Sequence, residues 1–126
     1  MTMIVEARTY VLHPGQVGLF MKLMAEGGID IEKRHLGGLL GFYSTEFGSI
    51  NKVLHLWAYA SHDDRTRRRQ NLNADPQWQA FVPTVLPLIR DMNNEILVPA
   101  PFSPPIAWAS GDDADGMGST STDVRT

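Results

Sequence analysis

The 126-residue chain contains no cysteine. That absence excludes disulfides, zinc–thiolate centres, iron–sulfur clusters and a thiol nucleophile. An excess of positive charge is missing too: 11 Lys and Arg stand against 14 Asp and Glu, for a net charge of -3. General nucleic-acid binders are usually strongly basic, so no nucleic-acid partner is expected. No apolar run is long enough to span a bilayer. The first apolar stretch, Met3 to Leu12, is interrupted by Glu6 and Arg8 and suits neither a signal-peptide core nor a membrane span. We therefore expect no membrane attachment and a cytoplasmic location. The four histidines, His13, His35, His55 and His62, show no paired ligand spacing, so no metal site is expected. A haem held by one histidine, His35 or His55, is not expected either. Gly27-Gly28 and Gly37-Gly38 fit no dinucleotide fingerprint. The cofactor expectation is none.

What is present is a core. Hydrophobic residues make up 43% of the chain, normal for a globular domain, and the length fits one domain. Met3–Leu12 is rich in β-branched and aromatic residues and reads as a strand. After His13-Pro14-Gly15, residues Val17, Phe20, Leu23 and Met24 recur at helical spacing. Gly27-Gly28 predicts a kink, or a stop and restart through Ile31 to His35. Leu39–Phe47 and Lys52–Ala60 read as a hairpin around the turn Gly48-Ser49-Ile50-Asn51. Ser61 and Asp64 resemble a capping box that starts a polar helix to about Asn73. Asp75-Pro76 reads as the cap of a second helix, with Trp78, Phe81, Val82, Val85 and Leu88 turned to the core. Pro83 and Pro87 predict a break or kink nearby. Ile96-Leu97-Val98 reads as a short last strand. Beyond it the composition turns to Pro, Gly, Ser, Thr, Asp and Ala, which predicts a flexible C-terminal tail over 105–126; Trp108 is either docked or exposed.

The order strand, helix, hairpin, helices, strand predicts an α+β fold, the ferredoxin-like β-α-β-β-α-β chain, with one four-stranded antiparallel sheet. Alternation then sorts the strand faces. Arg8, Tyr10, His55, Trp57 and Tyr59 are expected to share one face, large and aromatic, opposite a small aliphatic one. Helices cover a single face. The other would leave a broad aromatic surface open, so a second subunit is the expected cover and a homodimer the expected assembly.

Arg8-Thr9-Tyr10 before Pro14-Gly15, Gly41-Phe42 leading to Gly48, and above all His55-Leu56-Trp57-Ala58-Tyr59 resemble the NIPSNAP family. Arg65, Arg69, Pro87-Leu88-Ile89 and Ile96 to Pro99 extend the resemblance, which makes 1–104 the family-like domain. The resemblance implies a dimeric α+β barrel, two four-stranded sheets facing each other. That superfamily holds cofactor-independent monooxygenases, haem-degrading enzymes, isomerases and dehydrating enzymes, and the family itself supplies no catalytic motif to carry across.

The residues leave two functions open. In the first, a small-molecule-binding dimer works as a cofactor-independent enzyme of monooxygenase, isomerase or lyase type on an aromatic or polyketide-like compound, in a pocket between helices and sheet. His55, Tyr10 and Tyr59 are then the acid–base candidates. Arg8 and Arg69 would meet an anionic group, Trp57 would stack on a ring, and Glu46 would join the substrate site. In the second, the protein is a non-catalytic binding or interaction module. His55, Trp57 and Tyr59 then anchor an interface, and Arg8 pairs with Glu6 or Glu46. Asp63–Arg67 and Asp64–Arg68 have the spacing of ordinary solvated helix pairs.

Overall fold

The computed structural model describes residues 3–106. The strands are β1 (Ile4–Leu12), β2 (Leu39–Ser44), β3 (Lys52–Tyr59) and β4 (Ile89–Leu97). The helices are α1 (Val17–Leu23), α2 (Ile29–His35), α3 (His62–Ala74) and α4 (Pro76–Val85). The sheet order is β2-β3-β1-β4 with every pair antiparallel, the expected split topology. Residues from 107 onward, including Trp108, lie outside the described residues. Among the described residues no helix is long and apolar enough to cross a membrane.

Local chemistry sets the boundaries. The Ser61 hydroxyl caps α3 by accepting from the Asp64 amide at 3.1 Å. The Asp64 carboxylate returns to the Ala60 amide at 2.9 Å, one residue upstream of a standard capping box. Asp75 caps α4 through the Gln77 amide at 2.8 Å, with Pro76 in the first turn. Gly37 follows α2 at φ +84, a left-handed conformation that suits glycine at a helix end. Pro83 stays inside α4. The break falls later, at Leu86–Leu88, where Pro87 turns the chain into a 3₁₀ turn.

Gly27-Gly28 neither stops the helix nor simply kinks it. Met24–Gly28 forms one π turn that joins α1 to α2. A π turn inserts one residue, which rotates everything after it by about 100° relative to a plain α-helix. Glu32, twelve residues after Phe20, is thereby brought onto the buried stripe of Phe20 and Met24. It is 3% exposed. Gly28 also lies against α4: a Cβ there would land on the Phe81 ring and meet Met24 Sδ at 3.0 Å.

The last strand is nine residues long, not the three expected. Five of the six residues from Arg90 to Glu95, all but Met92, are polar because β4 is an edge strand exposed on both sides, so no hydrophobic alternation marked it. The hairpin is trimmed in the other direction: β2 ends at Ser44, and Thr45 to Asn51 form the connection.

The face assignment needs a larger correction. The aromatic, charged face is the one under the helices. Ile4, Glu6, Arg8, Tyr10 and Leu12 of β1 and Val53, His55, Trp57 and Tyr59 of β3 are all buried there. One core cluster joins Ile4, Trp57 and Tyr59 to Ile31, Leu36 and Leu72; a second joins Tyr10, Leu12 and Val53 to Phe20, Met24 and Val85. The open face is the small aliphatic one, with Val5, Thr9, Val11, Leu54 and Leu56 half-buried. Bulky side chains are needed to fill the gap between a sheet and a helix layer, and small ones suffice for a flatter contact.

Gly28→Val should destabilise the fold by about 1–3 kcal/mol, because the added methyls collide with Phe81 where α4 crosses the π turn. Urea unfolding measures it; an unchanged midpoint would show that the α4 contact is not tight.

Candidate functional site

Between the helices and the sheet lies a cavity of about 210 Å³. Arg8, Tyr10, His55, Arg69 and Glu32 supply its polar wall. Phe20, Met24, Phe42, Trp78 and Val82 are among its apolar lining. Leu86 and Met92, about half exposed, stand at its rim.

The polar wall begins on β1. Glu6, Arg8 and Tyr10 alternate onto one face, so each can reach the next. The Arg8 guanidinium donates to Glu6 Oε2 at 3.0 Å and to the Tyr10 hydroxyl at 3.1 Å. With the Asn94 amide turned so that its oxygen faces Arg8, that oxygen accepts from Arg8 at 2.8 Å. Arg65 reaches down from α3 and donates to the same Glu6 Oε2 at 2.8 Å. Burial alone would raise the Glu6 pKa. The Arg65 hydrogen bond and the charges of Arg8, Arg65 and Arg69 outweigh it and hold Glu6 below the ordinary carboxylate value.

His55 faces Arg8 across the β1–β3 pair. Its ring stacks on Phe42 at 4.4 Å between centroids and meets Tyr10 edge-on at 5.0 Å. The Trp57 indole N–H donates to His55 Nδ1 at 2.7 Å. An indole nitrogen is a donor only, so the neutral imidazole carries its proton on Nε2. That Nε2 is buried and has no partner among the described residues. Burial, reinforced by the nearby Arg8 charge, lowers the His55 pKa to about 3. His55 is thus a neutral hydrogen-bond donor at physiological pH. Its Nε2 is not available as a base.

Glu32, which was not among the acid–base candidates His55, Tyr10 and Tyr59, is the cavity group whose pKa lies near neutrality. Its carboxylate makes no hydrogen bond to a described residue, and Oε1 is fully buried. Burial raises its pKa to about 7, against the opposing charges of Arg8 and Arg69. Near-neutral titration keeps both protonation states populated, as an acid–base group requires. Sequence reasoning missed Glu32 because a plain helical count from Phe20 puts Ile31 on the buried stripe. The Gly27-Gly28 pair was the one signal that the count would slip.

Arg69 lines the cavity from α3, and its guanidinium makes no hydrogen bond or ion pair to a described residue. Burial and the Arg8 charge both lower its pKa, yet an arginine stays cationic at neutral pH.

The remaining candidates separate from the cavity. Trp57 and Tyr59 sit in the first core cluster; Trp57 acts on the cavity only by fixing the His55 tautomer. The Tyr59 hydroxyl is buried without a partner among the described residues, and desolvation raises its pKa. Glu46 is exposed in the β2–β3 connection, away from both Arg8 and the cavity. The helix-surface pairs also differ from expectation. Asp64 and Arg68 are buried, 2.9 Å apart, and Arg68 also donates to the His35 carbonyl at 3.2 Å. Arg67 pairs with Asp64 at 2.7 Å.

Comparison with known proteins agrees with this architecture. The NIPSNAP family profile matches residues 5–104. The protein NipSnap of Drosophila melanogaster is 35% identical over 101 residues, which cover 80% of this chain and 36% of that protein. The chain thus spans well under two thirds of the curated relatives it matches. A crystal structure of an uncharacterised NIPSNAP-like domain protein from Burkholderia xenovorans is 42% identical, with a TM-score of 0.83 over 86% of this chain and 94% of that one. A putative antibiotic biosynthesis monooxygenase from Chloroflexus aurantiacus shares the fold at 15% identity and a TM-score of 0.57, covering 84% of this chain and 100% of that one.

Glu32→Gln should stabilise the protein at alkaline pH. A raised carboxyl pKa means that the folded state holds the proton between the unfolded value and about 7, so stability falls as pH rises through that window. The isosteric amide removes the penalty, a gain of about 1–3 kcal/mol above pH 8 and little at pH 5. Thermal unfolding at the two pH values reads this out. An equal effect at both would mean that Glu32 titrates normally.

Proposed function

The chain belongs to the NIPSNAP family, and within it we propose that this domain is a small-molecule-binding homodimer whose cavity carries out cofactor-independent proton transfer. The observation that supports it is the meeting of two unsatisfied buried groups in one cavity, the Glu32 carboxyl and the His55 Nε2–H. Glu32 takes a proton from carbon next to a carbonyl. The electron pair moves onto the carbonyl oxygen, and the developing enolate accepts from His55 Nε2–H and from the Tyr10 hydroxyl. Return of the proton to another atom gives isomerisation; loss of a leaving group gives elimination. Arg8 is committed to Glu6, Tyr10 and Asn94 and holds Tyr10 in place. The apolar lining of Phe42, Phe20 and Trp78 suits a ring. A cavity of about 210 Å³ favours one ring over a polycyclic skeleton, since roughly 150 Å³ accommodates benzene.

The proposed dimer uses the open sheet face. Val5, Val11, Leu54 and Leu56 lie half-buried there, with Tyr43 and Leu97 more exposed, and a second copy would cover them. Leu56→Glu should convert the dimer to a monomer in light scattering. A wild-type protein that already runs as a monomer would remove the dimer from the proposal.

A panel of single-ring aryl ketones and keto acids in deuterium oxide tests the chemistry by proton NMR. The hydrogen beside the carbonyl of at least one compound should exchange with protein present. Glu32→Gln should slow that exchange by roughly 10²–10⁴-fold, the usual contribution of a positioned acid–base group. Binding without exchange would leave a binding module, and exchange unaffected by Glu32→Gln would remove Glu32 from the mechanism.

A further inference from the structure

Three guanidinium groups, Arg8, Arg65 and Arg69, stand around one carboxylate, Glu6, whose pKa they hold below the ordinary value. Arg8 and Arg65 both pair with Glu6, and Arg69 is left over, lining the cavity with no ionic or hydrogen-bond partner among the described residues. Arg69 is half-buried, so its charge is only partly screened by water, and its place on the cavity wall suits a site whose anionic partner arrives with the ligand. A guanidinium presents a planar fork that matches a carboxylate.

Glu32 shares the same cavity and constrains what that anion does. From β1 it faces Arg8 and Tyr10, from β3 the neutral His55, and from α3 Arg69 and Asn73. The π turn, α1, α4 and β2 bring only apolar side chains to the cavity, among them Met24, Phe20, Trp78 and Phe42. Two carboxylates enclosed together cannot both stay ionised cheaply.

We infer that the ligand is a single-ring or similarly sized carboxylate whose carboxylate pairs with Arg69, and that its binding drives a proton onto Glu32. This rests on the reading of the cavity as a small-molecule site and deepens it. The ionised form of Glu32, the one that takes the proton from carbon, is then regained in the ligand-bound protein only as pH rises. A neutral ring lacks the charge that Arg69 needs. A larger anion exceeds the space.

Isothermal titration with benzoate and its neutral isostere benzamide is the test, run in two buffers of different ionisation enthalpy so that protons are counted. Trp78 lines the cavity, and its fluorescence gives a second reading of the same binding. Benzoate should bind at least about tenfold more tightly than benzamide, as expected for a charge-assisted bidentate pair. It should take up about half a proton near pH 7, and its affinity should weaken several-fold from about pH 6 to about pH 8. In Glu32→Gln the uptake and the pH dependence should vanish while benzoate still binds. In Arg69→Gln, checked for folding by circular dichroism, benzoate should fall to the level of benzamide. The wild-type comparison needs no variant. Benzamide binding as tightly as benzoate overturns the carboxylate assignment and leaves the cavity reading intact. Tighter benzoate binding with no proton uptake overturns the coupling to Glu32. Failure of both probes to bind overturns the assignment and the cavity reading together.

Discussion

Glu6 has no exposed surface, and the two guanidinium groups that reach it use the same oxygen, Oε2. One of them, Arg8, belongs to the same strand; the other, Arg65, belongs to α3. The carboxylate therefore ties the helix layer to the centre of the sheet. Such a pair is not a large source of stability, because desolvation offsets much of the attraction. Its importance is geometric. Removing Glu6 would leave buried positive charge with nothing to oppose it. Keeping it fixes where Arg8 points, and Arg8 in turn holds the Tyr10 hydroxyl at 3.1 Å. The polar wall of the cavity is built outward from that one oxygen.

The second constraint is the π turn. Gly28 allows α4 to approach closely, and the inserted residue changes which side of α2 faces the sheet. Without the insertion, Ile31 would continue the stripe of Phe20 and Met24, and the cavity would lose its carboxyl group. The turn thus exchanges an apolar residue for a carboxyl at a buried position. Such insertions are often found at functional sites, and the energetic reason is visible here: burying Glu32 costs stability, and a packed helix would not otherwise turn it inward.

Much of the fold was legible because it rests on local signals. Ser61, Asp75-Pro76 and Gly37 mark helix ends by hydrogen bonding and by φ, and alternation in β1 and β3 put Arg8, Tyr10 and His55 on one face. Arg69 was legible because it lies four residues from Arg65, on the helix stripe that faces the sheet. Three features were hidden for stated reasons. An edge strand wet on both sides needs no alternation, so β4 read as three residues. Alternation shows that two faces differ but not which one the helices choose, and the bulky face needed the helices. Glu32 depended on a change of helical phase, which residue counting cannot see. Trp57 was read as either a stacking residue or an interface anchor; it is buried in the core, with its indole N–H on Nδ1 of His55.

One more regularity is visible when the two buried glutamates, Glu32 in the cavity wall and Glu6 behind it, are compared. Glu6 lies below the ordinary carboxylate value and Glu32 above it, although both are almost fully buried and both feel Arg8 and Arg69. Desolvation pushes both upward, so burial cannot separate them. The separating factor is contact. Glu6 accepts hydrogen bonds from two guanidinium groups, Arg8 and Arg65, whereas Glu32 feels Arg8 and Arg69 at a distance and accepts no hydrogen bond from a described residue. A hydrogen bond to the ionised form acts on that group alone, and a distant charge acts on everything in the cavity. Titratable groups whose surroundings drive their pKa values apart divide the work of a site between them. Here Glu6 becomes a permanent counter-ion that organises the wall. Glu32 becomes the one carboxyl in the cavity able to gain and lose a proton near neutrality. His55, desolvated in the same way but held by Trp57, is left as a neutral donor between them.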